Sequence, residues 1–235
     1  MHGIAPGALP PGQRIYAVGD VHGCADRLAE LHALVAADAA RRPCAAVTLV
    51  HLGDYIDRGP DSAGVLARLL GPPPVPGAQV VNLIGNHETM MLDACDPDAP
   101  PGALEFWLGN GGLETLLSYD ADPDDPAWRR AIPAAHIALL RRCRLLHRAG
   151  EYVFVHAGIR PGVPLAAQDP FDFLWIREPF LSWPEELEAV VVHGHSPAPQ
   201  PELRLNRIGI DTGACFGGAL TCLVLEGARL GFLAA

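Results

Sequence analysis

Gly53-Asp54-Tyr55-Ile56-Asp57-Arg58-Gly59 follows the apolar run Val47-Thr48-Leu49-Val50-His51-Leu52. The run reads as a buried strand, so two carboxylates and a guanidinium gather where a strand ends and a loop begins. Their types suit three tasks: a carboxylate that bridges two cations, one that holds and polarises an imidazole, and a planar fork that grips phosphate oxygens. Taken alone, the stretch reads equally well as a solvated turn with an Asp–Arg ion pair. Recurrence of the same arrangement decides between the two.

Working outward, the strand Arg14-Ile15-Tyr16-Ala17-Val18 runs into Gly19-Asp20-Val21-His22-Gly23. The segment from Ala25 to Ala40 then spaces Leu28, Leu31, Leu34, Val35 and Ala39 as an amphipathic helix does. A second helix is expected from about Asp61 to Leu70. After the stiff Gly71-Pro72-Pro73-Pro74-Val75-Pro76-Gly77 connection comes a third strand, Gln79 to Ile84, ending in Gly85-Asn86-His87-Glu88. Strands alternating with helices, with ligand-type residues at the strand ends, predict an α/β fold whose site lies along the carboxyl edge. Residues 89–150 loosen into helical pieces and acidic, proline-rich loops, expected as an insertion or cap. The glycines of Gly109-Asn110-Gly111-Gly112 interrupt one of its helices, and Pro133 opens another. The core resumes with a hairpin leading to His156-Ala157-Gly158, and the run Ala189 to Val192 leads to His193-Gly194-His195-Ser196-Pro197. Short β-type runs from Arg204 onward predict an antiparallel portion of sheet.

The five strand exits collect Asp20 and His22, Asp54 and Asp57, Asn86 and His87, His156, then His193 and His195. A lone histidine after a strand is more often a hydrogen-bonded structural residue. Five such exits together point to a metal site. Carboxylate, imidazole and amide oxygen without thiolate suit manganese, iron or zinc rather than a structural zinc site or a calcium loop.

The totals bound the rest. With 235 residues the chain is one large domain or a domain with an insertion, and its formal charge of −10 leaves no broad basic surface for duplex nucleic acid. An anionic substrate must therefore be drawn by local positive charge. The six scattered cysteines show no C-x-x-C spacing and read as small buried hydrophobes. Residues 1–13 read as a loose N-terminal arm, and 14–235 as a single domain. The start shows no export signal and no run is long enough to span a bilayer, so a cytoplasmic location away from membranes is expected.

Gly19-Asp20-Val21-His22-Gly23, Gly53 to Gly59, Gly85-Asn86-His87-Glu88, His156-Ala157-Gly158 and Gly194-His195-Ser196-Pro197 together resemble the ordered motifs of calcineurin-like metallophosphoesterases. The resemblance is strongest to the phosphoprotein phosphatase group of Ser/Thr phosphatases, in its bacterial and phage members, and runs from Arg14 to about Leu225. Ile210 to Ala214 and Trp175-Ile176-Arg177-Glu178 are similar to stretches in bacterial members. It implies a two-sheet sandwich flanked by helices and two divalent metal ions, manganese being expected and iron or zinc the alternatives.

Carried onto this chain, the resemblance gives Asp20 and His22 to one metal, makes Asp54 the bridge, and gives Asn86, His156 and His195 to the other. His195 is preferred over His193 because it stands in the Gly-His-Ser-Pro match. Two cations about 3.5–4 Å apart lower the pKa of a shared water from about 15.7 toward about 7, which supplies hydroxide for in-line attack on phosphorus. His87, held by Asp57, is the expected proton donor; the alternative is that it only hydrogen-bonds the phosphate. Arg58 and Asn86 are expected to contact substrate. Arg177 is either a second phosphate clamp or a surface arginine.

The leading expectation is a Ser/Thr phosphatase-like phosphomonoesterase acting on phosphoprotein or small phosphoesters. The alternative is a dinucleoside polyphosphate hydrolase, whose bacterial examples share the Gly-Asp-Val-His-Gly-Cys start. A non-catalytic phosphate-binding module is a third reading, disfavoured because all six ligand positions hold competent residue types.

Overall fold

The computed structural model describes residues 3–235. Its strands in chain order are β1 (Gly3–Ile4), β2 (Gln13–Val18), β3 (Ala46–His51), β4 (Gln79–Asn82), β5 (Leu146–Ala149) and β6 (Tyr152–Val155). They continue as β7 (Val190–His193), β8 (Glu202–Leu203), β9 (Arg207–Gly209), β10 (Thr221–Glu226) and β11 (Arg229–Ala234). The helices are α1 (Ala25–Arg41), α2 (Ser62–Leu70), α3 (Asn86–Cys95), α4 (Ala103–Trp107), α5 (Leu113–Ser118), α6 (Ala134–Arg141) and α7 (Pro170–Trp175).

Two mixed sheets form, ordered β1-β11-β10-β2-β3-β4 and β5-β6-β7-β9-β8. In the first, β2, β3 and β4 are parallel, and in the second β6, β7 and β9 are parallel. Period-two alternation sends Ile15, Ala17, Val50 and Leu52 inward against Tyr152, Phe154, Val192 and Ile208, making the core between the sheets. Tyr16, Val18 and Leu49 face the other way, onto Leu28, Leu31 and Val35 of α1 and Val65 and Leu66 of α2. The outer face of the second sheet is closed by Phe173, Ile176 and Phe180. The result is the expected α/β sandwich flanked by helices, with a helical insertion.

Helix boundaries follow local chemistry. The Asp61 side chain accepts from the Gly64 amide at 2.7 Å and so starts α2, a cap that contributes about 1 kcal/mol. Helix α3 begins at Asn86, so the third ligand-bearing stretch is the first turn of a helix rather than a loop.

Two expectations need correction. Residues 3–12 are not a loose arm: β1 pairs with β11, Ala5 and Leu9 are buried, and the Tyr152 hydroxyl donates to the Gly7 carbonyl at 2.6 Å. Small apolar residues there fill the end of the inter-sheet core, which composition alone does not reveal. The cysteines are mostly half-buried, and only Cys222 is fully inside. The expected antiparallel portion is present in the β10–β11 hairpin and the β8–β9 pair, while β9 also pairs parallel with β7. Among the described residues no helix is long and apolar enough to cross a membrane.

Candidate metal centre

Parallel strands bring their carboxyl ends to one edge, so the exits of β2, β3, β4, β6 and β7 converge there. The backbone bends sharply to achieve this. His22, Asp54, Asp57, Arg58 and His195 all have positive φ, at 43°, 50°, 70°, 68° and 61°. Such conformations are costly away from glycine and gather where a site over-determines them.

Asp54 is the hub. Its Oδ2 lies 3.3 Å from His22 Nε2 and 4.0 Å from His87 Nε2, while Oδ1 lies 3.4 Å from His156 Nε2. Two groups of potential ligands therefore share it: His22, Asp54 and His87, and Asp54, His156 and His195. Burial alone would raise the Asp54 pKa, but His156, His87 and His22 outweigh that and hold it well below the usual carboxylate value.

The imidazoles are oriented from behind. His22 Nδ1 donates to the Ile56 carbonyl at 2.8 Å and His156 Nδ1 to the Leu52 carbonyl at 3.0 Å. A carbonyl only accepts, so both Nδ1 atoms carry the proton; His156 Nε2 is left facing Asp54, and His22 Nε2, also beside Asp54, accepts from the Arg58 guanidinium at 2.7 Å. Asn86 Oδ1 lies 2.9 Å from His156 Nε2 and 3.0 Å from His195 Nδ1, which puts the amide oxygen in the second group.

Asp20 supplies the test of fit. Its Oδ2 accepts the His195 amide at 2.9 Å, but its Oδ1 is buried with no hydrogen-bond partner. Burial, with the charges of Asp211 and Asp54, pushes its carboxyl well above the ordinary range. Crowded carboxylates, an orphaned oxygen and lone pairs aimed inward suit a pair of divalent cations. One difference from expectation stands out, since the first geometric group contains His87 where the sequence reading has Asp20. His193 is not part of either group; its Nδ1 contacts the Gly194 carbonyl at 3.0 Å and its ring packs edge-on against Phe180.

His87 is held differently from the others. Its Nδ1 donates to Asp57 Oδ2 at 2.7 Å. That carboxylate is itself gripped by the insertion: Trp107 Nε1 lies 3.0 Å from both oxygens and the Thr115 hydroxyl donates to Oδ1 at 2.7 Å. The Asp57 amide sits 2.9 Å from Thr115 Oγ1 and 3.0 Å from Ser62 Oγ. The Gly109–Gly112 run is pressed into this contact. A Cβ on Gly112 would stand 2.6 Å from the Trp107 indole, and one on Gly111 2.8 Å from Arg58 Cγ. The insertion therefore reaches the site through Trp107 and Thr115, neither of which sequence reasoning singled out.

Glu88, also unassigned from sequence, accepts the amides of Gly85, Asp54 and Tyr55 at 2.8, 2.8 and 2.7 Å. Burial and the Asp54 charge push it up to about 8, against three donors that favour its ionised form. It ties the β3 and β4 exits together.

Removing the indole donor with Trp107→Phe leaves Asp57 short of a partner in a buried position, a loss of about 1–3 kcal/mol. The expected result is a lower melting temperature and a roughly tenfold fall in kcat, with metal content per chain unchanged. Parent-like kcat in steady-state assays would show that Thr115 alone suffices to hold Asp57.

The chain belongs to the calcineurin-like phosphoesterases, whose family model matches residues 13–218. Its two ligand clusters, sharing Asp54, fit a binuclear divalent-metal centre. It is 32% identical over 177 residues to the symmetrical bis(5'-nucleosyl)-tetraphosphatase of Acidovorax sp., covering 75% of this chain and 51% of that relative. The chain thus spans about half the length of the symmetrical tetraphosphatases it matches, and several others from bacteria match at comparable identity. It is also 30% identical over 214 residues to serine/threonine-protein phosphatase 1 of Salmonella typhimurium, covering 89% of this chain and 90% of that one. A solved structure provisionally described as a diadenosine tetraphosphatase superposes with a TM-score of 0.66 at 23% identity, covering 97% of this chain and 98% of the other.

Proposed function

We propose that the chain hydrolyses dinucleoside polyphosphates. The observation that carries this reading is the cavity in front of the metal centre, about 580 Å³, lined by Asp54, Asn86, His87 and His195 and also by Arg58, Arg160 and Arg177. Guanidiniums spaced along one cavity can grip successive groups of a phosphate chain. Arg160 is paired with Asp172 at 2.8 and 2.6 Å, whereas Arg58 and Arg177 are exposed and not in carboxylate pairs. The tetraphosphatase names among the relatives support the same reading.

In this proposal Asp20, His22 and Asp54 hold one divalent ion and Asp54, Asn86, His156 and His195 the other, with manganese expected. Bound there, the ions supply an activated water for attack on phosphorus. Arg58 and Arg177 grip phosphate oxygens as charge develops on them. His87, its Nδ1 fixed by Asp57, is left with Nε2 facing the cavity to give a proton to the departing phosphate oxygen.

A Ser/Thr phosphatase is the second reading, favoured by the match to the Salmonella phosphatase over nearly the whole of both chains. A dinucleoside tetraphosphate and a phosphopeptide assayed side by side, on metal-stripped and manganese-restored protein, separate the two. We expect the larger kcat/KM on the tetraphosphate. A faster rate on the phosphopeptide would overturn the proposal, and no turnover of either would leave a phosphate-binding module.

A further inference from the structure

One wall of the cavity has no part in the chemistry above. Phe171 and Trp175, one helical turn apart on α7, stack with ring centroids 6.1 Å apart and planes 18° from parallel. Trp175 in turn stands edge-on to His195, centroids 6.2 Å apart. Phe171 lines the same cavity as Asp54 and His87, yet it is 62% exposed. A flat aromatic face is thus presented to solvent two ring spacings from a ligand of the proposed metal centre.

We propose that the Phe171–Trp175 pair is a nucleobase platform. The base of a nucleotide stacks on the open face of Phe171, and its phosphates run inward past Arg177 toward Asp54 and His195. The proposal rests on the nucleotide reading above and extends it by assigning the residue that recognises the base.

Three observations favour this assignment. The platform is rigid before anything binds: Phe173 and Ile176 are buried beneath it, the Asp169 carboxylate accepts the Phe171 amide at 2.9 Å, and Asp172 is buried while holding Arg160. Little ordering is then needed on binding. The other exposed phenylalanines are worse placed. Phe216 has the Arg58 guanidinium 5.7 Å over its ring, and Phe106 lines a separate groove with Met90 and Pro100. Finally, Arg177 lines the cavity together with the platform and the metal-facing residues, so cationic and aromatic contacts are both available to one extended nucleotide. Stacking on an aromatic face accepts any base, so the platform senses the presence of a base rather than its identity.

The test compares AMP with ribose 5-phosphate, which lacks only the base, by calorimetric titration of manganese-loaded protein. AMP should bind about tenfold more tightly. In Phe171→Ala the two affinities should converge, and Phe171→Tyr, which keeps the flat ring, should preserve the gap. Because Phe171 is largely exposed, truncation leaves the core intact, and an unchanged melting temperature verifies it. Equal affinities in the parent protein, or a gap that survives in Phe171→Ala, would overturn the platform. This readout needs no turnover, so it stands apart from the substrate comparison: a protein that prefers the phosphopeptide would sink the nucleotide hydrolase reading by itself.

Discussion

Asp54→Asn is expected to leave a folded protein with both metal positions depleted and turnover reduced roughly a thousandfold or more. The reason is geometric. The two carboxylate oxygens face different clusters, Oδ2 toward His22 and Oδ1 toward His156. An asparagine keeps one oxygen and turns an N–H2 group toward the other cluster, where a donor cannot bind a cation. The backbone itself is not disturbed, since asparagine tolerates the left-handed conformation that Asp54 adopts at φ 50°. Metal per chain by mass spectrometry, read beside kcat, checks the claim. Two full metal equivalents with near-parent activity would remove Asp54 from its bridging role.

The second large effect separates two functions for one imidazole. His87 is close enough to Asp54 to be grouped with His22 as a ligand, but its Nδ1 is committed to Asp57 at 2.7 Å. A carboxylate behind the ring equally suits a proton donor and a metal ligand. In the proposed mechanism it donates, so His87→Asn should lower kcat by about 10²–10⁴-fold with metal content intact. The loss should be steepest for substrates with poor leaving groups, which depend most on protonation. Loss of one metal equivalent instead would make His87 a ligand and put Asp20 in question.

What could be read from the sequence was the part of the site carried by strand exits. Asp20, Asp54, Asn86, His156 and His195 each follow an apolar run by a few residues, and parallel pairing brings those ends together whatever the loops do. His193 and His195 were separable in the sequence only through the Gly-His-Ser-Pro match; of the two, His195 lies in a group with Asp54 and His156. Trp107 and Thr115 were not legible. They reach Asp57 across 50 and 58 residues of chain, from helices of five and six residues whose docking no periodicity announces. Glu88 reads as an ordinary residue in a helical first turn until the β3 exit is seen folded over it. Phe171 was equally silent, because an aromatic residue in a short helix is expected to be inside, and only the structure shows it facing out. The early residues were misread for the opposite reason: glycine, proline and alanine suggest a free tail, yet Ala5 and Leu9 fit a gap between the sheets.

Five residues of the centre adopt the left-handed backbone without being glycine. Each such residue costs about 1–3 kcal/mol, so a good part of the molecule's endurance is given up in a few loop positions. Directed evolution for heat resistance alone would find its easiest gains by relaxing those loops, and would inactivate the protein in doing so. Hardening schemes for this scaffold should therefore leave the β2, β3 and β7 exits untouched and work on the far ends of the sheets.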